Sequence, residues 1–224
     1  MKTSGTVQSI PYTIFYRRGV RMITLRISPQ GSVHVCAPYH ASKREIENLI
    51  IRNKGKLLER MPEPRDWEEG ETLVFHGREM RLSVQPWRTH AVEHGDELIA
   101  GGGSSTEVRG QVKELYRMDV ARRVRPLVSS WCSSLGVRVG SITIRDTHRV
   151  WASCTRAGNL NFSLRCAGLD DDDLSYLVLH ELAHRVHFNH GPLFHAYLDA
   201  HMPGWKTREQ HLRVMQPCCD VFGG

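Results

Sequence analysis

The sequence predicts an α+β protein, in which a mostly β N-terminal region precedes a domain where a small sheet backs a histidine-bearing helix. Three observations predict this class. β-Branched and aromatic runs alternate with turn signals over the first hundred residues. The segment 106–134 has apolar residues at helical spacing. A second segment, 174–186, is apolar around most of its circumference but has histidines on one narrow arc.

The composition is that of an ordinary folded protein. The chain has 224 residues, of which 40% are hydrophobic and 8% aromatic, so disordered and collagen-like classes are excluded. No run approaches the roughly 18–20 apolar residues of a membrane-spanning helix, and the N-terminus shows no signal-peptide pattern. We therefore expect a cytoplasmic protein that does not engage a membrane. The sequence does not predict an oligomeric state.

Charge is distributed unevenly along the chain. Residues 1–61 contain eleven Lys or Arg and three acids, a net charge of +8, whereas residues 62–101 contain four Arg and nine acids, a net charge of −5. A basic region attracts nucleic acid or an anionic substrate. Cationic surfaces are also common on proteins that bind neither, so charge alone does not assign a nucleic-acid partner.

The N-terminal region reads as strands followed by one helix. Strands are predicted over 7–18, 22–28 and 32–37, with a turn at 29–31. Ser42 is a suitable N-cap, because Glu45 follows three residues later, and the helix is expected to reach about Met61 before the stop at 62–65.

Short alternating runs between Glu71 and Ile99 predict antiparallel strands. The glycine-rich segment 101–105 that follows resembles a flexible connection. The predicted domains are therefore 1–100, a β-rich region with one helix, and 106–224.

The second domain is predicted to begin with a long helix over 106–134, kinked or broken at Pro126. Strands follow near 142–144, 150–155 and 159–164. Four aspartates, 170–173, then precede an apolar run, as expected at a helix N-terminus, where carboxylates stabilise the exposed amides. An acidic metal cluster is the alternative for these aspartates.

The histidine-bearing helix contains the most informative residues. His180 and His184 are one turn apart, roughly 6 Å along the helix axis, so both imidazoles can reach one Zn²⁺ ion at about 2.0–2.1 Å. Glu181 is adjacent to the first of them and can reach a water on the metal. This is the His-Glu-x-x-His motif of zinc hydrolases. The alternative is a pair of buried core histidines, which does not explain the clustering of histidines in this part of the chain.

A third ligand has to come from outside the helix. His187 lies two turns from His180, too far to share one ion with both histidines. His190 follows Asn189, a residue suited to a left-handed helix stop that would turn the chain back. The sequence therefore favours His190 over His187, with His195 as a further alternative.

These residues resemble the YgjP-like metallopeptidase domain family, a minigluzincin-type group akin to SprT-like zinc peptidases. The resemblance rests on His180-Glu-Leu-Ala-His184, a five-residue spacer, His190 and the following Gly-Pro-Leu-Phe. It extends to the Trp-Ala-Ser-Cys segment 151–154 and to the segment 202–208. It also reaches the N-terminal region between Arg17 and Met61, so it covers most of the chain.

The resemblance implies a zincin-like fold for the second domain and a zinc-dependent peptidase activity on a peptide or protein substrate. It implies that His180, His184 and His190 bind Zn²⁺ and that Glu181 is the general base. Ala152, in a position where the family usually has glycine, and His195, in place of a usual tryptophan, depart from its pattern. These departures concern the substrate contacts.

Several alternatives remain open from the sequence. The same centre could hydrolyse a nucleotide phosphoanhydride, or the protein could be a nucleic-acid-associated adaptor with a structural metal. An open metal position distinguishes a catalytic zinc from a structural one. Tyr176, Tyr197 and His195 are candidates for stabilising an oxyanion, and the sequence does not choose among them. Ser153 and Cys154 either line the cleft or, like Trp151, pack behind the helix.

Overall fold

A computed structural model of the chain describes residues 2–27, 32–59, 66–147, 150–219 and 222. The chain divides into two compact units, Met1–Arg65 with Phe222–Gly224, and Asp66–Val221. Strands dominate the first unit, and helices follow small sheets in the second, so the predicted α+β class is confirmed. Among the described residues, no helix combines the length and apolarity needed to cross a membrane.

The first unit is a four-stranded sheet with helices on one face. Its elements are β1 (Lys2–Val7), β2 (Ile10–Tyr16), β3 (Thr24–Ile27), β4 (Val33–Ala37), α1 (Lys43–Arg52) and α2 (Lys54–Leu58). The strand order is β1-β2-β4-β3, and only the β2–β4 pair is parallel. One face of β2 and β4 is fully buried with Ile46 and Ile50 of α1, and these residues form the core of the unit.

Helix α1 begins as the sequence predicts. The Ser42 hydroxyl accepts from the Glu45 amide, and the Glu45 carboxylate accepts from the Ser42 amide, which completes a capping box. The helix ends at Arg52, because Asn53 breaks it before the short α2. The predicted helix end near Met61, the stop at 62–65 and the turn at 29–31 lie outside the described residues.

The second unit begins with another four-stranded sheet and a long helix. Its first elements are β5 (Thr72–Phe75), β6 (Arg78–Val84), β7 (Val92–His94), β8 (Glu97–Ala100) and α3 (Ser105–Leu135). The sheet order is β5-β6-β8-β7, and β6 pairs with β8 in parallel. The prediction of antiparallel strands was therefore wrong for this pair. Strand β7 lies at the sheet edge and runs opposite to β6, so β8, which pairs antiparallel with β7, runs in the same direction as β6. The segment 101–105 joins β8 to α3 within this unit, so a domain division at that point stays a prediction.

Helix α3 continues through Pro126 without a break. Val120, Val124 and Val128 are buried on both sides of the proline, and this packing holds the helix although proline removes one backbone hydrogen bond. Gly136 ends it in the left-handed conformation, with φ of 64°.

A three-stranded sheet and three helices complete the second unit. They are β9 (Ile142–Arg145), β10 (Ala152–Cys154), β11 (Leu160–Ser163), α4 (Asp171–Ala183), α5 (Pro192–His201) and α6 (Trp205–Cys218), with a 3₁₀ turn at Leu164–Gly168. The sheet order is β10-β11-β9, which leaves β10 at an edge. Helix α4 packs against β10, α3, α5 and α6. The predicted helix backed by a small sheet is therefore confirmed.

Candidate metal centre

Helix α4 is the central element of the site. The Asp170 carboxylate caps its N-terminus by accepting from the Asp173 amide at 2.7 Å. Leu174, Val178 and Leu182 are fully buried, so packing on several sides fixes the helix. His180 lies in its last turn and His184 is its C-cap residue, and both remain partly exposed.

The chain reverses immediately after α4. The helix ends at Ala183, and the His187 amide still donates to the Ala183 carbonyl at 2.8 Å. A second turn, in which the Gly191 amide donates to the Asn189 carbonyl at 2.7 Å, leads into Pro192, the first residue of α5. This double turn returns His190 to the end of α4. The left-handed stop predicted at Asn189 was wrong, because Asn189 does not have a positive φ and the turns after Ala183 reverse the chain instead.

Three imidazoles meet at this point. The Nε2 atoms of His180 and His190 are 3.1 Å apart. One potential ligand atom from each of His180, His184 and His190 lies within 4.8 Å of the others. Nitrogens of a tetrahedral zinc site, each about 2.0–2.1 Å from the ion, are about 3.3–3.4 Å apart. The three side chains therefore fit a single small metal ion.

Phe194 supports all three rings, and sequence reasoning missed this role. Its ring centroid lies 5.1 Å from that of His180, 4.9 Å from that of His184 and 4.7 Å from that of His190. Phe194 is itself 1% exposed. It stands four residues after His190, in the first turn of α5, and only the reversal of the chain brings it beneath the cluster.

The second ring nitrogen of two histidines is occupied. The Nδ1 of His184 donates to the His187 carbonyl at 3.3 Å, which leaves Nε2 free to accept. The Nδ1 of His180 lies 3.3 Å from the Tyr176 hydroxyl. Contacts of this kind orient metal-binding histidines in many proteins and select the tautomer.

Burial favours the neutral form of His180 and His184. Desolvation, followed by the neighbouring His184, His190 and His195, lowers the pKa of His180 to about 4. Desolvation also lowers the pKa of His184. Neutral imidazole is the form that binds a metal ion, so these two rings are suited to bind one.

Glu181 is a buried carboxylate beside this cluster. It is 5% exposed, and burial raises its pKa to about 7, although a hydrogen bond from the Cys154 amide opposes the rise. Sequence reasoning placed Cys154 either at the cleft edge or behind the helix, and its backbone in fact contacts Glu181. A carboxyl group that titrates near neutrality is suited to accepting and returning protons.

A cavity and an open strand edge adjoin the site. His180 and Glu181 line a cavity of about 260 Å³. Its walls come from β10, α4 and α6, and its lining includes the apolar Trp151 and Leu212. Glu209 and Arg213 of α6, which form an ion pair 3.2 Å apart, also line it. Among the described residues, β10 pairs with β11 alone.

The other candidates from the sequence lie around the cluster. Tyr176 contacts His180 and is 2% exposed. His187 packs its ring 5.5 Å from that of Tyr197, and only its carbonyl touches the cluster, through His184. His195 stacks on Trp205 with ring centroids 5.5 Å apart. His190, not these residues, completes the group of three.

A second group of potential metal ligands lies at the opposite end of α4. It consists of Asp170, Asp173 and His211. His211 bonds the Asp173 carboxylate, and Arg208 contacts it at 3.5 Å. The acidic residues thus cap the helix and pair with side chains of α6, as the helix N-terminus prediction requires.

Comparison with known proteins places the chain in a family. Crystal structures of two metallopeptidase zymogens each resemble 42% of it with a TM-score of 0.37. Jannalysin of Methanocaldococcus jannaschii is 24% identical to this chain, and the match covers 95% of jannalysin. Abylysin of Pyrococcus abyssi is 22% identical, and the match covers 93% of abylysin. No curated protein matches the chain. The family model for the YgjP-like, metallopeptidase domain matches residues 21–215. As the motif resemblance implied, the chain belongs to the YgjP-like metallopeptidase domain family.

Proposed function

We propose that this protein is a zinc-dependent peptidase in which His180, His184 and His190 hold the metal and Glu181 is the general base. The observation on which this rests is the convergence of three imidazoles within 4.8 Å beside a buried carboxylate. Membership of a metallopeptidase family supports both the hydrolytic reaction and the metal.

The donor set supports zinc as the metal. Three neutral imidazoles suit Zn²⁺ better than Mg²⁺ or Ca²⁺, which prefer oxygen ligands. A catalytic zinc has three protein ligands and one open position, and no fourth protein ligand belongs to this group among the described residues. When bound, Zn²⁺ polarises a substrate carbonyl and makes water acidic near neutral pH.

Glu181 provides the proton transfer in this proposal. Its carboxylate takes a proton from the attacking water and passes it to the leaving amine, as a general base and then a general acid. Its pKa of about 7 allows both steps near neutral pH. The hydrogen bond from the Cys154 amide holds the carboxylate beside β10.

The edge of β10 supports an extended peptide as the substrate. At one end of β10, the Trp151 carbonyl accepts from the Ser163 amide of β11. At the other end, the Thr155 amide donates to the carbonyl of Asn159, the residue before β11. Because backbone groups alternate along a strand, those of Ala152 point away from β11. An extended substrate can therefore pair with β10 by β-augmentation, with one side chain in the cavity beside His180.

Product analysis tests the proposal directly. The zinc-loaded chain is incubated with a peptide library and, separately, with nucleoside triphosphates, and the products are identified by mass spectrometry. We expect peptide-bond cleavage that chelation abolishes and zinc restores. Release of phosphate or pyrophosphate without peptide cleavage would instead support a nucleotide phosphoanhydride hydrolase, and a zinc-containing protein inert toward both would support a structural metal.

Glu181→Gln provides the mechanistic control. Glutamine preserves the size of the side chain and can still accept from the Cys154 amide, so the metal content should stay unchanged. The rate should fall by about 10²–10⁴-fold, the usual contribution of a positioned general base. Glu114→Gln removes an exposed carboxylate that pairs with Arg117 on α3 and should retain full activity. An active Glu181→Gln protein would refute the mechanism.

A further inference from the structure

The sheet of the first unit has one face that no core residue occupies. Its opposite face is the core side, with Tyr12 and Val35 at most 1% exposed. On the free face, Phe15 of β2 and His34 of β4 are half-buried. Their rings meet edge to face, with centroids 5.2 Å apart and an interplanar angle of 73°. Two aromatic rings therefore occupy the middle of this face.

Cationic side chains flank the rings on both edge strands. Lys2 of β1 lies opposite Phe15 in the strand register, with its Nζ 5.8 Å from the ring centroid. Arg26 of β3 lies opposite His34. Both cations are exposed. Lys2, Phe15, His34 and Arg26 thus form a row across all four strands, which we call the sheet row.

More cations gather at one end of this sheet. Arg17, Arg18 and Arg21 lie in the connection between β2 and β3, and all three are exposed. The Arg17 amide donates to the carbonyl of Ala37, the last residue of β4. This connection therefore lies at the end where β2 and β4 finish, the same end as Lys2.

The sheet itself carries no acidic residue. The first acidic residue of the chain is Glu45, so all four strands lack a carboxylate. Glu45 and Glu47 belong to α1, the helix on the core side of the sheet. Of the net charge of +8 over residues 1–61, +5 therefore lies on residues 1–42, the sheet and its connections, where no carboxylate occurs.

A further ring pair lies at the cationic end. Tyr16, the last residue of β2, stacks on Tyr39, with centroids 6.2 Å apart and an interplanar angle of 26°. Tyr39 is 57% exposed. Tyr16 packs against the core of the unit, so this pair lies on the core side of the sheet and is not part of the sheet row.

We propose that the sheet row and the arginines at its cationic end bind single-stranded nucleic acid. Unpaired bases stack on half-exposed aromatic side chains, and phosphates bind the surrounding cations. A duplex has its bases already stacked and cannot use the rings in this way. An acidic peptide or an anionic membrane would use the cations but would gain nothing from ring stacking. This surface is separate from the proposed peptidase centre and does not depend on it.

The test uses the full chain and fluorescence anisotropy. Labelled 12-nucleotide oligo(dT) and oligo(U) are titrated between 50 and 200 mM salt, beside a duplex of the same length. We expect both single strands to bind more tightly than the duplex, with affinity that falls as salt rises. Phe15→Leu keeps an apolar side chain but removes the ring and should weaken binding about 5-fold or more.

The charge variants have a matched control. Arg26→Gln should weaken binding and lower the slope of log affinity against log salt by about 0.7, the value for one lost phosphate contact on a single strand. Arg44→Gln removes the same charge from an exposed position on α1 and should change neither. Thermal unfolding verifies that each variant is folded. If Phe15→Leu does not fold, Arg26→Gln still tests the proposal.

Three results would overturn the proposal. The first is equal binding of duplex and single strands. The second is an equal effect of Arg44→Gln and Arg26→Gln, since binding would then follow net charge alone. The third is binding of vesicles containing phosphatidylserine, or of poly-glutamate, with the same sensitivity to Phe15→Leu as oligo(dT).

Discussion

The two ends of helix α4 each present a group of potential metal ligands, and their electrostatics are opposite. The two groups are Asp170, Asp173 and His211 at the start, and His180, His184 and His190 at the end. At the start of the helix, carboxylates face a guanidinium and an imidazole. At its end, imidazoles face one another. Proximity alone therefore does not distinguish a metal site from an ion-pair cluster.

The first group already contains its cation. Arg208 lies 3.5 Å from the Oδ1 of Asp173 and 3.8 Å from the Oδ2 of Asp170, and it also bonds Asp172. His211 bonds the other oxygen of Asp173. A metal ion would have to displace this guanidinium. Because the guanidinium belongs to the protein, its binding does not cost the entropy that a free ion loses when it binds.

The second group lacks a countercharge. Among the described residues, no carboxylate bonds any of its three rings. Burial, and then the neighbouring imidazoles, lower the pKa of His180 and His184. His76 shows the contrast, because its Nε2 lies 2.9 Å from the Asp119 carboxylate. A histidine that faces a carboxylate has a charged partner within the protein, whereas neutral histidines that face one another offer their free ring nitrogens to a metal ion.

The largest expected effect separates the two groups by metal content. Protein purified without a metal-affinity tag should contain about one zinc per chain. His180→Ala should reduce this to a trace, because two imidazoles hold the ion poorly, whereas His211→Ala should leave it unchanged. Elemental analysis of both variants provides the measurement. Equal loss from the two variants would break the comparison between the ends of α4.

The next effect tests the turn after α4. His190→Ala removes a proposed ligand and should weaken zinc binding by more than the 10- to 100-fold that loss of an outer contact costs. His187→Ala keeps the backbone carbonyl that accepts from His184 and should weaken it by less. Competition with a chromogenic chelator measures both affinities. The reverse order would assign His187 as the ligand.

Local patterns explain why much of the site could be predicted from the sequence. Helical spacing places His180 and His184 on one face. The sequence also favoured the return of His190, but the left-handed stop expected at Asn189 was wrong, because the helix already ends at Ala183 and Asn189 does not have a positive φ. The hydrogen bond between the Cys154 amide and Glu181 joins residues on different elements, and no local spacing encodes it. The position of Phe194 beneath the rings likewise depends on how α5 packs.

The fold shows the same limit. The capping box at Ser42 depends on residues three apart and was predicted, but the parallel pairing of β6 with β8 depends on the path of β7. Strand β1 was missed because its Lys and Gly residues are disfavoured in strands and its apolar content is limited to one valine. It forms at the edge of the sheet by pairing with the strongly apolar β2.

A smaller effect tests the structural role of the first group. Asp173 is fully buried, bonds His211 and lies 3.5 Å from Arg208, so Asp173→Asn should lower the free energy of unfolding by about 1–3 kcal/mol. Asp172 also pairs with Arg208 but its side chain is 72% exposed, so Asp172→Asn should cost less than about 1 kcal/mol. Chemical denaturation measures both. Loss of zinc in Asp173→Asn, with stability unchanged, would make this group a metal site.

The smallest expected effect depends on pH and concerns His76, the histidine that faces the Asp119 carboxylate. Burial alone would raise the pKa of Asp119, but hydrogen bonds from His76 and Arg122 lower it below its usual value. A carboxyl group with a lowered pKa in the folded state stabilises it above the unfolded pKa of about 3.9, and this contribution is lost as the pH falls further. Asp119→Asn should therefore be less stable than the wild type by about 1 kcal/mol at pH 6.

That difference should shrink progressively below pH 4, because the wild-type carboxyl group becomes protonated and then resembles the amide. Denaturation of both proteins at several pH values measures it, and Asp96→Asn serves as a control because the side chain of Asp96 is 90% exposed. A difference that stays constant down to pH 3 would mean that Asp119 acts through packing rather than charge. His76 would then no longer exemplify a histidine whose charge partner is supplied by the protein, and the contrast with the cluster at the end of α4 would rest on His211 alone.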